Sequence, residues 1–129
     1  MIPIYVFFLR GKFNIDQRIR EHGRENCFIS EITVAELRYG AENSDDPIKS
    51  HKSVDTFLNG LTIIPIFGSI RLYAKEKVRL RKLGKPMHDD FDLMIGVTSI
   101  ENKLTLVTDN SKDFDRLNGV KIENWLDRN

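Results

Sequence analysis

Three short stretches carry acidic side chains at spacings that could bring them together. "TVAELRYG" holds Glu36 among Val34, Ala35 and Leu37. "HDDFDLMIGVTSI" holds Asp89, Asp90 and Asp92, and "VTDNSKDFDRL" holds Asp109, Asn110, Asp113 and Asp115. A carboxylate set between core residues costs free energy unless something pairs with it. Carboxylates that converge raise one another's pKa unless a cation intervenes. The cation would not be zinc, because Cys27 is the only cysteine and His22, His51 and His88 fall at no ligand spacing. Oxygen-only donors point to a hard ion, Mg²⁺ or Mn²⁺. Such an ion typically serves phosphoryl chemistry, where it activates a water and stabilises charge developing on phosphate. Nothing resembles a Ser–His or Cys–His pair, so no covalent intermediate is expected.

Plainer explanations compete for some of these acids. Thr33 and Glu36 could form a capping box, although Ser30 is a rival cap. Asp89 and Asp90 suit the N-cap and first turn of a helix, where the helix dipole favours anions. Asp109 and Asp115 fit an ordinary polar loop with an Asx-type turn. Asp92 differs, because it leads directly into the apolar face of "LMIGV". Asn110 and Asp113 differ too, because their spacing around the turn could aim both into one crevice. Gly96, inside the same helix as Asp92, signals close packing against a neighbour at some cost in helix propensity.

The elements that must position these residues alternate. "CFIS" (Cys27–Ser30) is a short apolar run ending in a good N-cap, a strand that runs into a helix. Helices are expected over "EITVAELRYGAEN", Lys49–Leu58, Ser69–Leu83 (closed by Gly84 and Pro86) and Asp90 to about Glu101. A buried strand is expected at Thr62–Ile66, cut by Pro65, and strands at Leu104–Thr108 and Val120–Ile122, with a helical turn at "SKDFDRL". The apolar run Ile2–Leu9 is read as a buried helix segment closing at "LRGK". Strands alternating with helices predict a parallel sheet covered on both faces. Sites in such folds form beyond the C-terminal ends of the strands. Those ends fall at Ser30, near Ile66 and at Thr108.

Composition permits this and little else. The 129 residues suit one domain over 1–129, 40% hydrophobic and 30% charged, with no repeat or low-complexity tract. A net charge of +1 sets up no global field for nucleic acid or membrane. A single cysteine favours a reducing compartment, and Cys27 in "CFI" is read as a small buried hydrophobe. Ile2–Leu9 is shorter than the roughly 20 residues a bilayer requires. It has neither a basic lead nor a small-residue cleavage site, so a cytoplasmic protein is expected.

"ISEITVAELRYG", "DDFDLMIGVTSI", "LTLVTDNSKDFDRL" and the closing "KIENW" together resemble the PIN-domain ribonucleases, in particular the VapC-type toxins of toxin–antitoxin pairs. Each motif alone is weak; four in order, spread from about Ile4 to Trp125, are specific. The resemblance implies a three-layer α/β/α domain with a central, mainly parallel sheet. It implies a Mg²⁺-dependent endoribonuclease, neutralised by a cognate antitoxin and working as a homodimer. Carried over residue by residue, Glu36 and Asp92 match the family's helix acids. Asn110, Asp113 and Thr108 match its strand-end turn, and Asp90 matches a frequent but less essential acid. Glu36, Asp92, Asp113 and Asp90 are then the metal-side residues, and Thr108 fixes the turn by hydrogen bonding. The family opens with a buried strand ending in Asp-Thr-Asn, and Met1 stands where that Asp would be. The first strand is therefore expected to be truncated, and one metal carboxylate to be absent. The alternative function follows: a catalytically impaired PIN-like domain that keeps only antitoxin or RNA binding.

"RLYAKEKVRLRKLGK" is strongly basic. On a helix Lys75, Arg79 and Lys82 share one face, either a solvated face or a strip contacting RNA phosphates. Arg10 and Lys12 would extend that positive rim. A phosphoacceptor receiver domain also has this size and an acidic Mg²⁺ site. It needs an Asp after a mid-chain strand, where this chain has "FGS".

Overall fold

A computed structural model of the chain describes residues 5–7, 15–108 and 110–124. Five parallel strands form one sheet: β1 (Tyr5–Phe7), β2 (Cys27–Ser30), β3 (Thr62–Ile64), β4 (Thr105–Val107) and β5 (Ile122–Glu123), in the order β3-β2-β1-β4-β5. Each step between neighbours is a parallel pairing, which requires crossovers. Helices α1 (Ile15–His22), α2 (Glu31–Glu42), α3 (Pro47–Leu58), α4 (Ile70–Lys82), α5 (Asp90–Glu101) and the single turn α6 (Ser111–Phe114) supply them. Chain order reverses at β1, so the crevice of this sheet opens beyond the ends of β1 and its neighbours.

β1 overturns one expectation. The run that looked like a helix contains a strand, and the strand is the central one. Tyr5 lies opposite Cys27 on one side and Thr105 on the other. The sheet is therefore not missing its middle, and the truncated first strand is corrected. The physical reason is twofold. A short apolar run cannot be assigned to helix or strand by periodicity alone, and Tyr, Val and Phe favour strands. A gap between β2 and β4 would also leave buried backbone groups unpaired, which is costly.

Other differences are smaller. The expectation for Thr62–Ile66 was a buried strand, but β3 is an edge, with Thr62 and Ile63 exposed and Pro65 just past it. β5 begins two residues later than expected, at Ile122. No element was expected at α1, "IDQRIREH", whose two apolar residues, Ile15 and Ile19, stand one turn apart; Ile19 is fully buried. The remaining helices and β4 fall within a residue or two of the reading.

The core lies between the sheet and α5. Leu93, Ile95, Val97, Leu106, Phe114 and Leu117 are all buried in it, and α5 is enclosed on most of its surface. Gly96 is the closest approach: a Cβ there would collide with Leu117 and come within 3.2 Å of the Phe114 ring. That contact seats α6. Cys27 is buried as expected. Its Sγ lies 3.3 Å from the carbonyl of Gly23, and burial pushes the thiol up to about 11, so it stays a neutral packing group. No helix among the described residues is long and apolar enough to cross a membrane.

Candidate active site

α2 begins where β2 ends. Ser30 is its N-cap, accepting the N–H of Ile32 at 3.1 Å. Thr33 therefore sits inside the helix, its hydroxyl buried and making no hydrogen bond among the described residues. The Thr33–Glu36 capping box is thus excluded, and Glu36 projects from the second turn, half-buried.

α5 brings the second acid. Asp89 is the cap, accepting the N–H groups of Phe91 (2.9 Å) and Asp92 (3.4 Å). Asp92, in the first turn, is 5% exposed. α5 packs against α2, so Glu36 and Asp92 come from adjoining helices. Asp90 shares the first turn but faces α4: both of its oxygens accept from Lys77 Nζ at 2.9 Å. That pairing holds the Lys77 ammonium above its ordinary pKa, chiefly through the hydrogen bond to Asp90.

The third contribution is the turn after β4. Thr108 is buried, and its Oγ1 accepts the N–H of Asn110 at 3.0 Å. Asn110 Nδ2 donates to Asp113 Oδ2 at 2.8 Å, and Arg116 Nη2 approaches Asp113 Oδ1 at 3.4 Å. Asp113 is thus oriented from two sides while remaining exposed. Arg116 was not anticipated, although its i,i+3 spacing from Asp113 is a legible helical pair. It also donates through Nη1 to the carbonyls of Pro86 (2.7 Å) and Lys85 (3.3 Å). The guanidinium thereby ties α6 to the loop that leads into α5.

The basic helix is only partly what its sequence suggested. Lys75 and Lys82 are exposed on α4. Arg79 is engaged instead: Nε and Nη2 donate to the two oxygens of Glu76 at 2.7 and 2.9 Å, and Nη2 also donates to the carbonyl of Arg116 at 2.8 Å. Glu76 is 2% exposed and accepts the N–H of Asn118 at 2.8 Å. The Arg79 fork, outweighing desolvation, holds the Glu76 carboxyl below its usual range. Arg79 is therefore engaged with Glu76 and a backbone carbonyl, unlike the exposed Lys75 and Lys82. Arg10 and Lys12, together with Asp109, lie outside the described residues.

Among the described residues, no group of three or more His, Cys, Asp or Glu side chains is placed to hold a metal ion. Glu36 and Asp92 are two oxygen donors from adjoining helices. That matches Mg²⁺, which is often held by one or two carboxylates plus substrate phosphates. β1 adds no carboxylate, since Asp16 is the first acid in the sequence.

Comparison with known proteins shows the family. A family model described as PIN domain matches residues 2–120. The chain is 34% identical over 132 residues to Ribonuclease VapC2 of Haemophilus influenzae, covering 97% of this chain and 93% of that protein. It is 28% identical over 118 residues to the tRNA(fMet)-specific endonuclease VapC of Shigella flexneri, covering 91% and 83%. Its fold matches a crystal structure of DNA-bound VapBC from Salmonella typhimurium with a TM-score of 0.85 and 25% identity, covering 95% and 98%. With its parallel sheet, its acids on adjoining helices and its Thr–Asn–Asp turn, the chain belongs to the PIN-domain family and groups there with the VapC ribonucleases.

Proposed function

We propose that this chain is a divalent-metal-dependent endoribonuclease, the toxin of a pair whose other member is a cognate antitoxin. The observation that carries the reading is the Thr108–Asn110–Asp113 turn at the end of β4, set at the sheet's switch point in a VapC-like PIN domain. A hard cation, Mg²⁺ or Mn²⁺, would supply electrostatic stabilisation to the phosphate under attack. Glu36 and Asp92 are the residues that would hold it. Asp90 contributes less, because Lys77 already occupies both of its oxygens. Asp113, fixed by Asn110 and Arg116, orients the attacking water through its remaining lone pairs. Thr108 holds the turn in shape. The antitoxin belongs to this reading because the fold's solved neighbours include VapBC complexes.

The test is cleavage of bulk tRNA with Mg²⁺, Mn²⁺ or EDTA, beside Asp92→Asn and Glu36→Gln. Transfer RNA is the first class to try, given the specificity carried in the name of the Shigella flexneri relative. Cleavage that needs the metal and is lost in both variants is the expected result. Full cleavage by either variant would remove the metal assignment. A second reading rests on β1 carrying no carboxylate and on the absence of a three-acid group among the described residues. In that reading the domain binds RNA or antitoxin without turnover, and the wild type would bind tRNA but leave it intact with either metal.

A further inference from the structure

Beside the acidic crevice lies a cavity of about 550 Å³ between the loop that leads into α5 and α6. Its walls include Lys85, Pro86, His88, Lys112, Asp115 and Arg116. The loop comes from α4. Gly84, at φ +71°, ends that helix, and the N–H of Lys85 closes back on the carbonyl of Leu80 at 2.9 Å. Arg116 then fastens the loop to α6 through its two carbonyl contacts and reaches Asp113 with the same guanidinium. One wall of the cavity is therefore physically continuous with the Thr108–Asn110–Asp113 turn.

The charge at this place is positive and available. Among the described residues, no hydrogen bond or ion pair occupies the ammonium group of Lys85 or of Lys112. Both lysines are exposed, and so is the one carboxylate in the lining, Asp115. Arg116 is held in place without being neutralised by a buried partner. Lys82, the last residue of α4, adds a further exposed positive charge beside the loop. The arrangement suits an anion that is itself multivalent along its length.

We infer that this cavity seats a backbone phosphate of the RNA, next to the phosphodiester that lies in the crevice. Lys85 and Lys112 neutralise it, and Arg116 is a positioning residue that couples its arrival to the orientation of Asp113. This rests on the ribonuclease reading. The structure offers a contrasting basic surface, the groove between α1 and α3 lined by Arg20, Arg24, Lys49 and Lys52. Arg24 there is committed to the carbonyls of Asn59 and Phe57. That groove lies where β2 starts, not where it ends, so a strand bound in it does not meet Asp113.

The experiment measures binding of end-labelled bulk tRNA in EDTA, so that no strand is cut, across a salt series. It compares wild type, Lys85→Gln/Lys112→Gln, Lys85→Arg/Lys112→Arg and Lys49→Gln/Lys52→Gln. Each lost phosphate contact should lower the slope of log K against log salt by about 0.7–0.9. The crevice-side Gln pair, which empties one phosphate seat, should therefore lower it by about 0.7–0.9 and weaken binding roughly tenfold. The Arg pair should restore both, and the α1–α3 groove pair should match wild type. In a metal-containing cleavage assay the Gln pair should raise KM more than it lowers kcat.

Wild-type affinity and slope in Lys85→Gln/Lys112→Gln, with tRNA still cut by the wild type, would overturn this inference and leave the ribonuclease reading standing. Equal weakening by the groove pair would also overturn it, because the effect would then be charge in general. If the wild type cuts tRNA with metal but does not bind it in EDTA, this inference alone falls; if it neither binds nor cuts tRNA, both readings fall together.

Discussion

Two neighbouring helices each bury one carboxylate, and the two are treated differently. On α4, Glu76 sits mid-helix and is answered on the spot: Arg79 grips both oxygens, and the N–H of Asn118, far along the chain, adds another bond. On α5, Asp92 lies in the first turn, at the sheet's switch-point end, with Asp90 in the same turn and Glu36 on the adjoining helix. Glu76 lies where the protein needs a clamp between α4 and the segment after α6. Asp92 lies in the first turn of α5, beyond the strand ends where sites of such sheets form. A buried acid is therefore no sign of chemistry by itself. What distinguishes the two is their place: Glu76 is gripped by Arg79 in mid-helix, whereas Asp92 opens α5 at the switch-point end of the sheet.

Asp92→Asn is the largest expected effect. Replacing even an outer-sphere partner of a metal site costs roughly 10–100-fold, so loss of a ligand should cut metal-dependent RNA cleavage by more than about 100-fold. Stability should fall by no more than about 1 kcal/mol, the value of one first-turn charge. Cleavage rates per folded molecule and urea melts measure both. An unfolded Asp92→Asn would place this acid with Glu76, as a structural group, and dissolve the contrast.

Glu76→Gln should do the reverse. Breaking a fully buried ion pair costs roughly 3–5 kcal/mol; Arg79 is 32% exposed, so about 2–3 kcal/mol is expected here. Cleavage by the molecules that remain folded should be unchanged. The pH dependence follows from the lowered carboxyl pKa. The stabilisation is complete above the unfolded value near 4.5 and drains away as pH falls through the lower folded value. The wild type should therefore lose stability in that acid window, and Glu76→Gln should lose less. A variant that kept wild-type stability but cut no RNA would show Glu76 to be a site residue after all.

The candidate acids stand out in the sequence because their signals are local. Glu36 stands among apolar neighbours, Asp92 opens an apolar helix, and Thr108, Asn110 and Asp113 follow a β-branched run within six residues. Glu76 was not legible, because a Glu in a helix full of lysines and arginines looks like a solvated ion pair. What buries it is α4's orientation, and what completes it is a backbone N–H after α6. Arg79 shows the same limit: sequence gives its charge but not the partner that engages it. The first strand failed differently. "IYVFF" is compatible with helix and strand, and only the vacancy between β2 and β4 decides. The family pattern pulled the reading toward a helix, while the sheet's hydrogen bonding required a strand.

Gly96→Ala tests how the α5 side depends on α6. A methyl group there collides with Leu117 and presses on Phe114, both buried. Overpacking costs about 1–3 kcal/mol, and the better helix propensity of Ala returns up to about 1. A net loss of about 1–2 kcal/mol is expected, with a several-fold drop in cleavage because Phe114 adjoins Asp113. Thermal melting and kcat would report the two effects separately. A loss of stability with unchanged kcat would mean that α6 tolerates displacement without moving Asp113.

Asp90 is the finest test, because it could fall on either side of the comparison. It shares a turn with Asp92, yet Lys77 holds both of its oxygens as Arg79 holds those of Glu76. The Lys77–Asp90 pair is about half exposed on both sides, so it is screened by solvent and adds little to the fold. Lys77→Gln should shift the melting temperature by less than about 2 °C. The informative reading is the metal dependence of cleavage. If Asp90 is only a first-turn charge, the Mg²⁺ concentration that gives half-maximal rate stays where it was. If Asp90 is a ligand restrained by Lys77, freeing it should lower that concentration several-fold, because a carboxylate no longer has to leave an ammonium to reach the ion. We expect no change: Lys77 on α4 already holds both oxygens of Asp90, so the metal-side role is proposed to rest on Glu36 and Asp92.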